Sequence, residues 1–168
     1  GGTIWDPIIT TNDENNIAIA MCYSRYDYTK VIGTFSSSDS GETWTNCVTI
    51  DNGDSPFCPS LAFFPGSPNL YLTWSGVEDD NSRKVKYCAS TDVGITWGNY
   101  GYVTASNAAF YPSCAVSSLS DESVHFTWLD SRSGTPVYYY RRYCRLRRDV
   151  GTVEIITPQD YIEPSIPI

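Results

Sequence analysis

The chain has 168 residues, enough for one domain with a sizeable buried core. It carries 11 basic against 19 acidic residues, a net charge of −8, so it repels a phosphate backbone and argues against nucleic acid as a partner. No apolar run is long enough to cross a membrane as a helix, and no stretch of a dozen residues keeps a helical period.

Taken in order, the chain reads as β structure in three repeating units. Pro7, Pro59, Pro112 and Pro164 recur at near-constant spacing, and the last three are each followed by serine (Ser60, Ser113, Ser165). A period of this size marks a propeller or another repeat array. Within the first unit, Ala20-Met21-Cys22-Tyr23 is a loose copy of a strand that returns as Leu72-Thr73-Trp74-Ser75 and Phe126-Thr127-Trp128-Leu129. Val124, Phe126 and Trp128 alternate with His125 and Thr127, the period of a strand. Val85–Cys88 and Val137–Tyr140 are rich in branched and aromatic side chains that favour strands. Turn clusters separate these runs at Asp51-Asn52-Gly53-Asp54, Pro65-Gly66-Ser67-Pro68 and Ser131-Arg132-Ser133-Gly134.

The most specific signal is a string that occurs twice, 53 residues apart. Ser37, Asp39, Gly41, Thr43 and Trp44 spell Ser-x-Asp-x-Gly-x-Thr-Trp, and Ser90, Asp92, Gly94, Thr96 and Trp97 spell it again. Each type has a task in a tight turn. The carboxylate accepts backbone N–H groups, the hydroxyls brace the loop, glycine takes a positive φ, and the indole folds back over the strands. A worn third copy keeps Asp149 and Gly151. The string resembles the Asp box of the bacterial-neuraminidase repeat, found in sialidase-like β-propellers.

That resemblance implies an all-β fold of propeller blades, each a four-stranded antiparallel sheet. The expected strands are one after the Pro-Ser pair, one ending at the tryptophan, and two joined by the Asp-box hairpin. Residues 1–168 form one propeller segment with units at 7–58, 59–111 and 112–163, and residues 164–168 open a fourth. Propellers close with about 4 to 8 blades. Three blades leave two apolar faces, which are expected to meet further blades or other copies of the chain. In the family the Asp box is structural and lies away from the catalytic face.

Charge is distributed unevenly. Residues 1–56 carry a net −6, whereas Arg141, Arg142, Arg145, Arg147 and Arg148 cluster near the other end. Such a run is either a solvated strand edge protected by charge or a contact between subunits or blades. Six cysteines, Cys22, Cys47, Cys58, Cys88, Cys114 and Cys144, form an even set without metal-ligand spacing. They are read as paired disulfides of an extracellular or cell-surface protein, with buried thiols as the other reading.

Candidate chemistry is sparse. Sialidases use a tyrosine nucleophile, carboxylate partners and three arginines that grip the sugar carboxylate. The first of those arginines lies in an Arg-Ile-Pro motif. The comparable stretch here, Ile4-Trp5-Asp6-Pro7-Ile8, has no arginine, and Arg25 is the nearest substitute. His125, the one histidine, sits mid-strand as a packed side chain. Asp51–Asp54 and Glu78-Asp79-Asp80-Asn81 offer oxygen ligands for Ca²⁺ but lack a full ligand-loop spacing, so no cofactor or metal is expected. Trp5, Trp74 and Trp128 invite sugar stacking, yet the last two recur at equivalent places, which favours packing between blades. Asp130 and Arg132 could decorate a binding loop. The preferred function is a non-catalytic structural or interaction module. The rivals are a piece of a sialidase-type glycoside hydrolase, and a glycan- or protein-binding propeller.

Overall fold

The structure is a computed structural model that describes residues 3–51, 54–117 and 123–144; the side chains of Asp54 and Cys144 lie outside that description. Every regular element in it is a strand. Strands β1 (Ile4–Thr11), β2 (Ile17–Ser24), β3 (Lys30–Ser37) and β4 (Val48–Asp51) form one antiparallel meander. Strands β5 (Asp54–Phe63), β6 (Leu70–Val77), β7 (Arg83–Ser90) and β8 (Gly101–Tyr102) form a second. Strands β9 (Ala109–Val116), β10 (Ser123–Asp130) and β11 (Val137–Cys144) form the third, which has three strands among the described residues. These are propeller blades, each with its first strand innermost. The expected last strand of the third unit, Asp149, Gly151 and the 164–168 opening all lie outside the described residues.

Two of the expected strand boundaries shift. Pro7, Pro59 and Pro112 lie inside the first strands rather than before them, and Trp74 and Trp128 lie inside the second strands rather than at their ends. The reason is a bulge at each proline. Pairing slips between Trp5 and Ile8 in β1 and between Phe57 and Ser60 in β5. It slips again where β9 meets Thr127 and Leu129 of β10. Proline has no N–H to give the ladder, so an extra residue is absorbed there and the strand continues beyond it.

Alternation along the strands builds two cores, one per junction. Ala18, Ala20, Cys22 and Ile32 of the first blade pack against Leu61, Phe63, Leu70, Leu72 and Trp74 of the second. The opposite face of that second blade, with Ala62, Phe64, Tyr71 and Val85, packs against Cys114, Val124, Phe126 and Trp128 of the third. The second blade is thus apolar on both faces. The middle one is covered on both sides, and the outer two on one side each.

The register also corrects one alignment. Ile17 pairs with Ser37, and Leu70 pairs with Ser90. With the two Ser-x-Asp turns superposed, Leu72-Thr73-Trp74-Ser75 therefore corresponds to Ile19-Ala20-Met21-Cys22, one residue before the match read from sequence. A one-residue slip exchanges the faces of a strand. Met21, not Cys22, stands at the tryptophan position and looks away from the second blade.

Candidate functional site

The two Ser-x-Asp-x-Gly-x-Thr-Trp turns adopt one geometry. The Ser37 hydroxyl donates to Asp39 Oδ1 at 2.7 Å and accepts the Gly41 N–H at 2.8 Å. Asp39 then accepts the Thr43 N–H at 2.9 Å and the Thr43 hydroxyl at 2.5 Å. Ser90, Asp92, Gly94 and Thr96 repeat these bonds at 2.7, 2.8, 2.8 and 2.5 Å. Gly41 and Gly94 take φ of 90° and 86°, where a side chain would be strained. The Thr43 hydroxyl, then the Thr43 N–H and Ser37, pull the Asp39 carboxyl down to about 2. At Asp92 burial pulls upward, but the bonds from Thr96 and Ser90 win and the carboxyl is also lowered. Every oxygen and hydroxyl that the motif offers is used inside the turn.

The tryptophans are less covered than expected. Trp44 and Trp97 donate Nε1–H to the Gly41 and Gly94 carbonyls at 3.0 and 3.1 Å. That bond stands the ring on the turn with one side toward solvent, so Trp44 is 42% exposed and Trp97 is half-buried against the first core.

Asp130 and Arg132, singled out as a binding pair, form a structural clamp. Asp130 is fully buried and receives the Ser106 hydroxyl at 2.9 Å, the Trp128 indole N–H at 3.3 Å and the Arg132 N–H at 2.9 Å. The Arg132 guanidinium closes the set at 2.5 Å and lies over the Tyr139 ring. Burial raises the Asp130 carboxyl, but Arg132, Ser106 and Trp128 together hold it below the usual range. A ligand finds no free oxygen here.

The same logic operates between the first two blades. Asp51, at the end of β4, accepts the Trp74 indole N–H at 2.6 Å and pairs with Lys86 at 3.2 Å. Lys86 is buried, pairs also with Glu78 at 2.9 Å, and lies 4.8 Å from the Tyr100 ring centre. Burial pulls the ammonium down, yet Glu78 and Asp51 outweigh it and keep Lys86 above its ordinary value. Asp51 and Glu78, considered as Ca²⁺ ligands, are thus committed to a lysine. Asp80 is committed to the Ser82 N–H at 2.9 Å. Trp74 is wholly buried and Trp128 nearly so, which removes both from sugar stacking. Trp5 packs beside the first core under Lys30.

The disulfide expectation is corrected. Cys22, Cys47, Cys58, Cys88 and Cys114 are free thiols, and the Cys144 side chain lies outside the description. Three of them act as small apolar side chains on separate strands: Cys22 and Cys88 fill the first core, Cys114 the second. Cys114 donates to the Ser60 carbonyl at 3.4 Å. Burial pushes Cys22 and Cys114 to about 12 and Cys58 to about 11, and raises Cys88 as well. None of these four is an activated nucleophile at neutral pH.

The arginine run does not act as one patch among the described residues. Arg141 points into the junction, where it caps the Val103 carbonyl and lines an open polar cleft of about 560 Å³ with Glu78, Lys84 and Tyr102. Arg142 donates to the Ser123 hydroxyl at 2.9 Å on the exposed side. Arg145, Arg147 and Arg148 lie outside the described residues. His125 Nδ1 lies 2.7 Å from the Tyr140 hydroxyl, its ring stacked on that tyrosine.

One feature escaped the sequence reading. Asp6, Cys58 and Tyr111, each directly before a repeating proline, have φ of 49°, 51° and 53°. Side chains other than glycine rarely adopt that conformation, and residues before proline usually stay extended. Asp6 accepts the Cys58 N–H at 3.2 Å, and Phe57 meets Tyr111 edge to face at 6.1 Å, so the three bulges join along the first strands. The proline period marked the place, but nothing in the varied preceding residues marked the conformation.

The arrangement of blades is shared with a solved structure. It superposes on the Hadza microbial sialidase Hz136 with a TM-score of 0.64, at 12% identity, over 83% of this chain. The fold is that of a sialidase-like propeller. The chain spans 35% of the length of Hz136. No family model and no curated protein matches the sequence.

Proposed function

We propose that the chain is a non-catalytic structural or interaction module of Asp-box propeller blades, acting outside the cell or at its surface. Its open blade faces seat further blades or further copies. The observation that carries this reading is how the charged side chains are used. Lys86 binds Asp51 across one junction and Glu78 within its own blade, while Asp130 and Arg132, paired within one turn, tie it to Ser106 and Thr104 ahead of β9. Groups that a hydrolase would direct at substrate are instead consumed in holding blades together. The Ser-x-Asp turns, in the same way, spend their oxygens on their own backbone. The likeness to a sialidase at 12% identity supports the blade architecture and carries no activity with it.

The test is direct. Purified chain incubated with a fluorogenic sialoside should release no fluorophore above the blank. Turnover that disappears when one tyrosine is changed would replace this reading with a sialidase-type hydrolase. Saturable binding on a glycan array would instead favour a glycan-binding propeller.

A further inference from the structure

The two outward faces of the wedge differ from the covered ones in a matched way. On the first blade, Ile19 and Met21 stand where Leu72 and Trp74 stand on the second, and Gly33 stands where Lys86 stands. Leu72 and Trp74 are wholly buried by a neighbouring blade; Ile19 and Met21 are only half-buried. Gly33 itself is covered by the Tyr23 ring and the Cys47 thiol, and beside Met21 lies an open apolar groove of about 600 Å³, walled by Ile4, Met21, Tyr23, Phe35 and Cys47 with Arg25 and Asp27 at its rim. On the third blade the pattern is reversed. Tyr138 pairs with Leu129 as Val85 pairs with Ser75 and Ile32 with Cys22, so these three are equivalent. Ile32 and Val85 are 0% exposed inside the junctions, whereas Tyr138 is larger and 73% exposed.

We propose that the outward face of the first blade receives the outward face of the third blade from a second copy of this chain, with Tyr138 entering the groove beside Met21. The volumes complement one another: large Trp74 or Trp128 shares its core with small Ile32 or Val85, and small Met21 is matched by large Tyr138. Tyr140 is equivalent to Tyr87, which packs on Phe126 at 5.5 Å, so Tyr140 comes to lie over Ile19 of the second copy. Polarity agrees as well. Met21 has no indole N–H and Gly33 no ammonium, so this junction needs no carboxylate, and the described strands of the third blade bring none to that face. Arg142, on that side of the third blade, and Asp27, at the rim of the groove, are opposite in charge. The contact is heterologous, so copies close into a ring or run on as a filament.

The inference rests on the reading that the open faces seat further blades. Light scattering on purified chain should show assemblies larger than a monomer. Tyr138→Glu and Met21→Glu should each weaken assembly at least about 30-fold. Mixed together they should form a discrete two-chain species, because each variant keeps one intact face. Should Met21→Glu fail to fold, Met21→Trp replaces it: alone it weakens assembly, and Tyr138→Val in the same chain restores it. A wild-type monomer, single variants that still assemble, or a mixture that stays monomeric would each overturn the proposal. A chain that is monomeric and also inert toward sialosides overturns this inference alone, and the open faces then belong to blades of a longer polypeptide. Sialoside turnover is the result that removes the underlying reading.

Discussion

Replacing Lys86 by methionine tests whether the junction clamp holds the first two blades together. The ammonium lies 3.2 Å from Asp51 and 2.9 Å from Glu78, both ends mostly out of water. At an effective dielectric of about 20, the attraction to Asp51 alone is about 5 kcal/mol before desolvation is subtracted. Breaking one side of a buried pair costs about 3–5 kcal/mol, chiefly because the abandoned charge stays buried. The lower end applies here, since Asp51 keeps the Trp74 N–H and the Glu78 side chain is 25% exposed and can turn to water. Lys86→Met should therefore cost about 3 kcal/mol, a fall in Tm of about 6–12 °C for a chain of this size. Adding Asp51→Asn removes the stranded charge while keeping an acceptor for Trp74, so the double variant should recover about 2 kcal/mol. Urea unfolding followed by tryptophan fluorescence measures both. A single-variant loss under about 1 kcal/mol, or no recovery in the double variant, would refute the clamp. The pH dependence has a definite sign. The folded pKa of Lys86 is raised, so its contribution is complete below about 10.5 and is lost as pH rises through the folded value; the methionine variant lacks that alkaline loss.

Asp130→Asn should cost about 2–3 kcal/mol at neutral pH, since Arg132 is partly exposed and can solvate itself. Its folded pKa is lowered, so the deficit is present above about 3.9 and shrinks as pH falls through the folded value; an acid titration of stability reads this. Trp97→Ala should cost about 2 kcal/mol and Trp44→Ala about 1, in the order of their burial, less than the ~3–5 for a fully buried ring. In chemical denaturation, equal losses at the two sites would contradict the difference in cover. With a thiol reagent, Cys47 should react in the native chain, while Cys22, Cys88 and Cys114 react only on unfolding; failure of unfolding to release those three would show that they are oxidised.

The propeller architecture was legible because its signals are local. Ser37, Asp39, Gly41, Thr43 and Trp44 contact one another within eight residues, so the string itself carries the turn. Long-range partners were not legible. Asp130 read as a binding-loop residue because nothing nearby announces that Ser106, 24 residues away, and the Trp128 indole both donate to it. Lys86 passed unremarked because its partner Asp51 is 35 residues distant on another blade. The register slip at Met21 has a related cause. Ile17 to Tyr23 is apolar on both faces, so alternation cannot say which set faces the second blade, and only pairing with β3 decides it. The even cysteine count pointed to bridges, yet Cys22, Cys88 and Cys114 are free thiols packed as apolar side chains in two separate cores.

The bend before each repeating proline belongs to the blade rather than to the residue. A carboxylate, a thiol and a phenol, Asp6, Cys58 and Tyr111, hold nearly the same positive φ. Left-handed backbone costs a non-glycine residue about 1–2 kcal/mol, and no shared side-chain chemistry offsets it three times. What is shared is the bulge, which takes up the residue displaced by a proline that cannot donate to the ladder. The fold imposes the conformation and leaves the side chain free to vary. That freedom explains why three different chemistries occupy equivalent places on the innermost strands, where in a complete ring they would face one axis. In this chain the freedom is partly spent: Asp6 is tied to the Cys58 N–H and Tyr111 to the rings of Phe57 and Phe110. The innermost strands therefore also join neighbouring blades, through the Asp6–Cys58 hydrogen bond and the Phe57–Tyr111 ring contact.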